Sequence, residues 1–466
     1  PYISDEHDYS TDIIDANVPT PVLSNVTHTG FTVDNIDGYY IDVIVESKLY
    51  GVKFECQSDY PALTGVNPLA WQVVPDTNWI YTSHYYNFTD RIDYVLNQFS
   101  STKVEKMKPV IRNILRMGVY QILFMDKIPD SAACNEAVKL AGKKGFDKLK
   151  GFVNGVLRNI ARQKEELKYP ERKKDLCSYL QITYSMPEWI VKMWSEQYGE
   201  EKTEAILNGL LKERPFTLRL DESLSGEEKE DLLKQVKEAG IQLENCEELA
   251  YAYRVLKMDS IENIPGFLEG KWMVQDLGSM LITQFGKIKP GDTVIDVCGA
   301  PGGKALHAAA KIGKDGKVFV RDLTDYKVSL IEENLARAGY TNVIPQVMDA
   351  TVVDPSSVGA ADVVIADLPC SGLGVIGRKP DIKYRVKPQD LEDIAQLQRT
   401  ILQVVYQYVK PGGTLLYSTC TLNKKENEEN VAFIREHLPF VLEEAKELLP
   451  GNGDTDGFYM ARFKRI

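Results

Sequence analysis

The sequence predicts a doubly wound α/β protein, with a largely parallel sheet in its C-terminal half and a helical unit ahead of it. Three observations carry that expectation. From residue 271 onward, apolar runs alternate with stretches of helical period: "TVIDVCGAPGGKALHAAAKI", "KVFVRDLTDYKVSLIEENLARAG", "NVIPQVMDAT", "ADVVIADLPCSG" and "LQRTILQVVYQYVKPGGTLLYSTCTL". Strands apolar on both faces that alternate with helices belong to parallel sheets covered on both sides. Residues 89–165 instead place apolar residues at spacings of three and four throughout. Residues 1–88 alternate as strands do, with turn residues between the runs.

The elements follow in order. Residues 1–88 are rich in Tyr, Trp, Asp, Thr and Val and contain "GFTVDNIDGYYIDVIVESKLYGVKFE". They read as a small, atypical β-rich segment, and nothing in them carries recognisable chemistry. Residues 89–165 hold the helical stretches "RIDYVLNQF", "MKPVIRNILRMGVYQILF", "SAACNEAVKLAGKKG" and "FVNGVLRNIARQ", with a Lys-rich "GKKGFDKLKG" among them. Residues 166–270 form a connector and small α/β subdomain, with the helix "EWIVKMWSEQYG", the strand "PFTLRL" and the acidic helix "SGEEKEDLLKQVKEAG". Residues 271–466 are the catalytic sheet, closing on "GFYMARFKRI".

The totals narrow the class. A chain of 466 residues is long enough for two or three domains with ordinary cores. No run of about eighteen apolar residues appears, so no membrane span is expected. No signal peptide is visible in a chain that begins at Pro1. Seven cysteines are scattered at 56, 134, 177, 246, 298, 370 and 420, never as C-x-x-C pairs. That pattern argues against a disulfide framework or a zinc site, and we expect no metal. Reduced thiols in a cytoplasm fit better.

A net charge of -12 argues against a nucleic-acid partner until its distribution is read. Residues 1–90 contain 13 Asp/Glu against 2 Lys, whereas residues 101–170 contain 15 Lys/Arg against 7 Asp/Glu. The acidity sits almost wholly in the first ninety residues. The basic block that follows can meet phosphates, or can be a solvated helix face.

"DVCGAPGGK", residues 296–304, is a glycine-rich turn between a strand and a helix. It lacks the G-x-G-x-x-G dinucleotide fingerprint. It is not a P-loop either, because Ala305 stands where Ser or Thr would hold magnesium. Glycines here let a ligand approach the backbone closely. Asp296 at the strand end can face a cation such as an ammonium or sulfonium. Asp322 ends the next strand, where a carboxylate takes the ribose hydroxyls of a nucleotide-like cofactor; nearby Asp325 is the alternative partner. Asp349 follows the third strand and can accept from an adenine amino group, or can simply cap a turn. Acids on successive strand ends, with a glycine-rich first turn and no P-loop, point to S-adenosylmethionine.

"ADLPCSG" places Asp367 and Cys370 where the fourth strand stops, and "LLYSTCTL" places Cys420 at or after the end of the next. A single free cysteine is usually packing. Two thiols at neighbouring ligand-side strand ends suit covalent chemistry on a pyrimidine. Carbon 5 is too poor a nucleophile to take a methyl group directly. A thiolate added at carbon 6 makes carbon 5 enamine-like, and the thiol is eliminated after transfer. The base must first be turned out of any stack. Methylation of an exocyclic amine needs no thiol, and "DLPC" is not the Asp/Asn-Pro-Pro-aromatic ending of enzymes that do it.

"DVCGAPGGK", "DLPCSGLG" and "YSTCTLNKKENE" resemble the RNA cytosine-C5 methyltransferase family, in its bacterial RsmB (Sun) branch acting on small-subunit ribosomal RNA. The resemblance covers roughly 89–466. "SAACNEAVKLA" and "FVNGVLRNIAR" look like the NusB-type RNA-binding helices that this branch carries, and "NGLLKERPFTLRL" looks like its small domain. The implied fold is a Rossmann-like S-adenosylmethionine-dependent methyltransferase domain preceded by an all-α NusB-like domain. The resemblance implies Cys420 as nucleophile and Cys370 as the thiol that assists product release. DNA cytosine methyltransferases attack from the P-C cysteine instead, so the residues by themselves leave that choice open. The resemblance further implies Asp367 near cofactor and base, and Lys304 near the base. Cofactor contacts fall to Cys298, Gly299, Ala300, Pro301, Gly302, Gly303, Lys304, Asp322, Asp349 and Asp367. Gly299 stands where the family more often has Ala, and residues 1–88 stand where it has further NusB-type helices.

The expected protein is therefore an enzyme acting on 16S ribosomal RNA that is free or in early assembly, away from membranes and as a monomer. The alternatives are an RNA-binding assembly factor with an inactive methyltransferase fold, and a cytosine-C5 methyltransferase acting on another RNA such as transfer RNA.

Overall fold

The computed structural model describes residues 87–466, except 213–214, 259 and 452–454, and four strands ahead of them. Those strands form two antiparallel hairpins, β1 (Val22–Thr27) with β2 (Gly30–Asp34) and β3 (Val43–Ser47) with β4 (Val52–Cys56). The β-rich reading of the N-terminal segment is met in these hairpins, and its remainder lies outside the described residues. The chain divides into two compact units, Pro1–Met193 and Trp194–Ile466.

In the first unit, helical periodicity becomes α1 (Thr89–Phe99), α2 (Pro109–Phe124), α3 (Asp130–Lys143) and α4 (Lys150–Gln163). Pro109 opens α2 where a missing N–H costs nothing. The apolar stripes close on one another: Ile92, Leu96, Leu115, Val119, Val153 and Leu157 are all fully buried. Gly118 lets α2 and α4 approach, since a Cβ there would stand 2.6 Å from Leu157 Cδ1. Arg116 clamps Asp93 with two hydrogen bonds, Nε at 2.7 Å and Nη2 at 2.5 Å, tying α2 to α1. Helices α5 (Leu176–Thr183) and α6 (Glu188–Tyr198) follow.

The second unit continues through α7 (Glu200–Leu211) into a four-stranded antiparallel sheet of order β6-β7-β5-β8. Its strands are β5 (Thr217–Leu220), β6 (Gln242–Asn245), β7 (Ala252–Lys257) and β8 (Trp272–Val274), so the sheet takes its last strand from beyond residue 270. Helix α8 (Gly226–Glu238), started by a Ser225/Glu228 capping box, packs Leu232 and Val236 against Leu218, Leu220 and Trp272.

The main sheet has seven strands in the order β11-β10-β9-β12-β13-β15-β14. They are β9 (Thr293–Asp296), β10 (Lys317–Asp322), β11 (Val343–Val347), β12 (Ala361–Asp367), β13 (Val409–Thr419), β14 (Phe440–Leu448) and β15 (Phe458–Arg465). The first five in that order pair in parallel, and β15 and β14 add on antiparallel. Val294, Ile295, Val364, Ile365, Leu415 and Leu416 are at most 1% exposed, as double-sided burial demands. The linking helices are α9 (Leu277–Phe285), α10 (Gly303–Ile312), α11 (Asp325–Ala338), α12 (Ile382–Arg385), α13 (Pro388–Val405) and α14 (Glu428–His437). Strand β9 runs between β10 and β12, so the order reverses there. The crevice beyond the carboxyl ends of these strands is the expected ligand site. No helix among the described residues is long and apolar enough to cross a membrane.

Candidate active site

Strand β9 ends on Asp296, and residues 297–302 turn the chain into α10. Asp296 is fully buried, and neither carboxylate oxygen has a hydrogen-bond partner. Burial pushes its carboxyl up to about 7, against the pull of the Lys304 charge. Gly302 takes a left-handed φ of 103° at the start of α10. At Gly299 a Cβ would meet Val320 Cγ2 at 2.4 Å and Asp296 Cγ at 2.9 Å. A glycine at 299 thus leaves room for Val320 against the turn.

Asp322, at the end of β10, is 5% exposed and already ordered. It accepts from the Ala300 amide at 3.1 Å and the Leu323 amide at 2.8 Å, with Lys327 Nζ at 3.1 Å. It thereby ties the glycine-rich turn to the neighbouring strand. Asp325 points away from this role: it is exposed in the first turn of α11. Asp349 is exposed after β11, where its Oδ1 accepts from the amide and hydroxyl of Thr351, which hold its carboxyl below the ordinary range. The turn-capping alternative is therefore its observed contact. A buried carboxylate whose oxygens lack hydrogen-bond partners, beside a second one on the next strand end, suits a cationic, ribose-bearing group, and S-adenosylmethionine fits that donor set.

Strands β12 and β13 bring the two thiols together. Their register pairs Asp367 with Ser418, so Cys370 and Cys420 leave adjacent strand ends. The two sulfurs are 3.2 Å apart, a hydrogen bond in which either could donate. The surroundings break that symmetry. The hydrogen bond from Cys370, with the nearby charges of Lys304 and Lys379, draws the Cys420 thiol down against burial and the Asp367 carboxylate. The same contact, burial and the carboxylates of Glu426 and Asp367 push Cys370 well up. Of the two thiols, Cys420 is thus the one drawn down and Cys370 the one pushed up. Cys298, beside three acids, is pushed up mainly by burial and stays a thiol.

Lys304 and Asp367 form a close ion pair, with Nζ 2.5 Å from Oδ2. Burial pulls the lysine down, but Asp367 outweighs it and keeps the ammonium charged. The other carboxylate oxygen accepts the Ser418 hydroxyl at 2.6 Å. Residue reasoning had not singled out Ser418, although it lies in the same "YSTC" stretch. Nor had it found Lys379, whose charge acts on Cys420, or Asn427. Asn427 is fully buried, accepts the Thr419 hydroxyl at 2.6 Å and donates to the Thr421 carbonyl at 3.0 Å, gripping both sides of Cys420. Among the described residues there is no group of three or more His, Cys, Asp or Glu able to hold a metal ion.

Three family models match the chain. Residues 284–464 match the 16S rRNA methyltransferase RsmB/F model, residues 81–162 the NusB family, and residues 186–262 the ferredoxin-like domain of RsmF/B-like methyltransferases. A Bacillus subtilis protein named "Probable ribosomal RNA small subunit methyltransferase B" is 37% identical over 393 residues, covering 80% of this chain and 87% of its own. The ribosomal RNA small subunit methyltransferase B of Serratia proteamaculans is 30% identical over 384 residues, covering 81% and 87%. A methyltransferase homologue from Pyrococcus horikoshii, 23% identical, superposes with a TM-score of 0.56 over 63% of this chain and all of its own, which shows the shared fold. With the glycine-rich turn, the acid-tipped strands and the paired thiols in place, these matches lead to one conclusion: the chain belongs to the ribosomal RNA small subunit methyltransferase B family.

Proposed function

We propose that this protein methylates carbon 5 of a cytosine in small-subunit ribosomal RNA through a transient bond between Cys420 and carbon 6. The observation that carries the reading is the thiol pair: two sulfurs 3.2 Å apart, with Asp367 acting on both, Lys304 and Lys379 on Cys420, and Glu426 on Cys370. S-adenosylmethionine, the cofactor of this fold, supplies an electrophilic methyl group when bound. The glycine-rich turn 298–304, Asp322, Asp349 and Asp367 are the residues we assign to holding it.

The base is turned out of its stack into the crevice beyond β12 and β13. The Cys420 thiolate then adds to carbon 6, and the electron pair displaced to carbon 5 takes the methyl group. Lys304, held charged by Asp367, stabilises negative charge that develops on the base. Water in the crevice takes the carbon-5 proton, the electron pair of that C–H bond restores the double bond, and Cys420 leaves as the thiolate. The S–H of Cys370 that stabilises the thiolate before attack stabilises it again as the leaving group. Both steps need reduced thiols, so we assign the reaction to a reducing cytoplasm.

The basic stretch 101–170 on the NusB-like helices is the part we assign to gripping RNA phosphates. A denaturing gel of protein with unmodified small-subunit ribosomal RNA and cofactor tests the thiol roles. Cys420→Ala should give neither product nor adduct. Cys370→Ala should accumulate a denaturation-resistant protein–RNA adduct. An active Cys420→Ala enzyme, or a Cys370→Ala enzyme that turns over normally without adduct, would overturn the assignment.

A further inference from the structure

Behind the two thiols lies a buried polar cluster that no step above uses. Glu426 is fully buried in the segment that leads from Cys420 into α14. Its Oε2 accepts the Ser371 amide at 2.9 Å and Gln398 Nε2 at 3.1 Å. Its Oε1 accepts the Ser371 hydroxyl at 2.5 Å and Asn423 Nδ2 at 2.8 Å. The Ser371 hydroxyl also lies 2.7 Å from Thr421 Oγ1, and Gln398, on α13, donates to the Pro369 carbonyl at 2.8 Å. Residues 369 and 371 flank one thiol, and residues 421 and 423 follow the other.

These four donors to Glu426 are all uncharged, so the carboxylate is buried against amides and a hydroxyl. Burial of a carboxylate is costly even when its oxygens are satisfied, and apolar residues would fill such a space more cheaply. What the acid supplies that an apolar side chain cannot is a fixed distance between two loops, set by acceptors that face both ways. The two loops carry Cys370 and Cys420, whose sulfurs stand 3.2 Å apart, and their hydrogen bond is lost if the loops separate by about 1 Å.

We propose that Glu426 is a positioning residue for the cysteine pair, clamping the two thiol loops so that Cys370 donates its S–H to Cys420. The inference takes its use in catalysis from the proposed reaction, but the contact itself can be tested without RNA. The test follows iodoacetamide alkylation of Cys420 in the full chain against pH, read by mass spectrometry of the Cys420 peptide. Glu426→Gln and Ser371→Ala are each compared with the wild type, with and without Cys370→Ala. Glu426→Gln should slow Cys420 alkylation about tenfold at about pH 7.5, an upward shift of roughly one pH unit in the midpoint. Ser371→Ala, which removes one arm of the clamp, should shift it the same way by less. In the Cys370→Ala background neither should shift it, because the contact they hold is already gone.

Wild-type midpoints in both variants would overturn the proposal. So would equal shifts with and without Cys370, since the acid would then merely support the fold. Should Glu426→Gln lose cofactor binding, and hence its fold, Ser371→Ala decides by the same two criteria. Lost thiol coupling in an enzyme that makes another product would leave Glu426 as proposed and refute the reaction instead.

Discussion

Asp296 combines full burial, two unpartnered carboxylate oxygens and a carboxyl pushed up to about 7 from 3.8 by burial. The folded protein therefore binds this proton more tightly than the unfolded chain does. Stability from this group is fully present below about pH 4 and is lost as pH rises through about 7, on the order of a few kcal/mol in all. Asp296→Asn should raise the cofactor-free melting temperature at about pH 8 by several degrees, an effect that fades toward about pH 4. The same variant should weaken S-adenosylmethionine by about tenfold in calorimetry if, as we propose, the sulfonium lies against this carboxylate. A variant that melts as the wild type does at both pH values would contradict this account. The cysteines, the strand-end acids and the glycine-rich turn were legible in the sequence because each lies in a contiguous motif. Gln398 and Lys379 were not, because register and loop packing bring them to the thiols from separate stretches, and Glu426, though inside "YSTCTLNKKENE", finds partners at Ser371 and Gln398 that only the fold supplies. Which thiol attacks is left open by the residues alone, and the charges that we propose decide it, Lys304 and Lys379, come from separate stretches of the chain.

Among the elements, periodicity read helices α1 to α4 and the five parallel strands. Strand β14 escaped it. Phe440–Leu448 carries Glu443, Glu444, Lys446 and Glu447, a pattern closer to an exposed helix than a strand. As the outermost strand it has reason to be charged, since charge discourages edge-to-edge pairing. That β15 inserts between β13 and β14 is likewise invisible to period counting. The packing of α2 on α4 gives an element-scale prediction. Gly118→Ala would gain about 1 kcal/mol in helix propensity but add a methyl against fully buried Leu157, where overpacking costs about 1–3 kcal/mol. The first unit should therefore lose about 1 kcal/mol in urea unfolding, with cofactor affinity unchanged. Equal or greater stability would show that the two helices are not held at contact distance.

At the scale of the whole chain, a net charge of -12 coexists with a family that acts on RNA. The first ninety residues carry 13 acids against 2 lysines, which leaves the remainder close to neutral with a basic stretch at 101–170. Affinity for RNA should follow local cations rather than the total. Reversing the exposed Lys143 and Lys148 to Glu should weaken ribosomal RNA binding about tenfold and flatten its salt dependence, while cofactor affinity holds. An unchanged salt slope would move the contact surface elsewhere. The central claim is the chemistry at carbon 5, and one measurement reaches it most directly. The full chain is incubated with tritiated S-adenosylmethionine and unmodified small-subunit ribosomal RNA, and the RNA is digested to nucleosides. The account predicts label in 5-methylcytidine, abolished by Cys420→Ala; label in any other nucleoside, or label that survives that substitution, would contradict it.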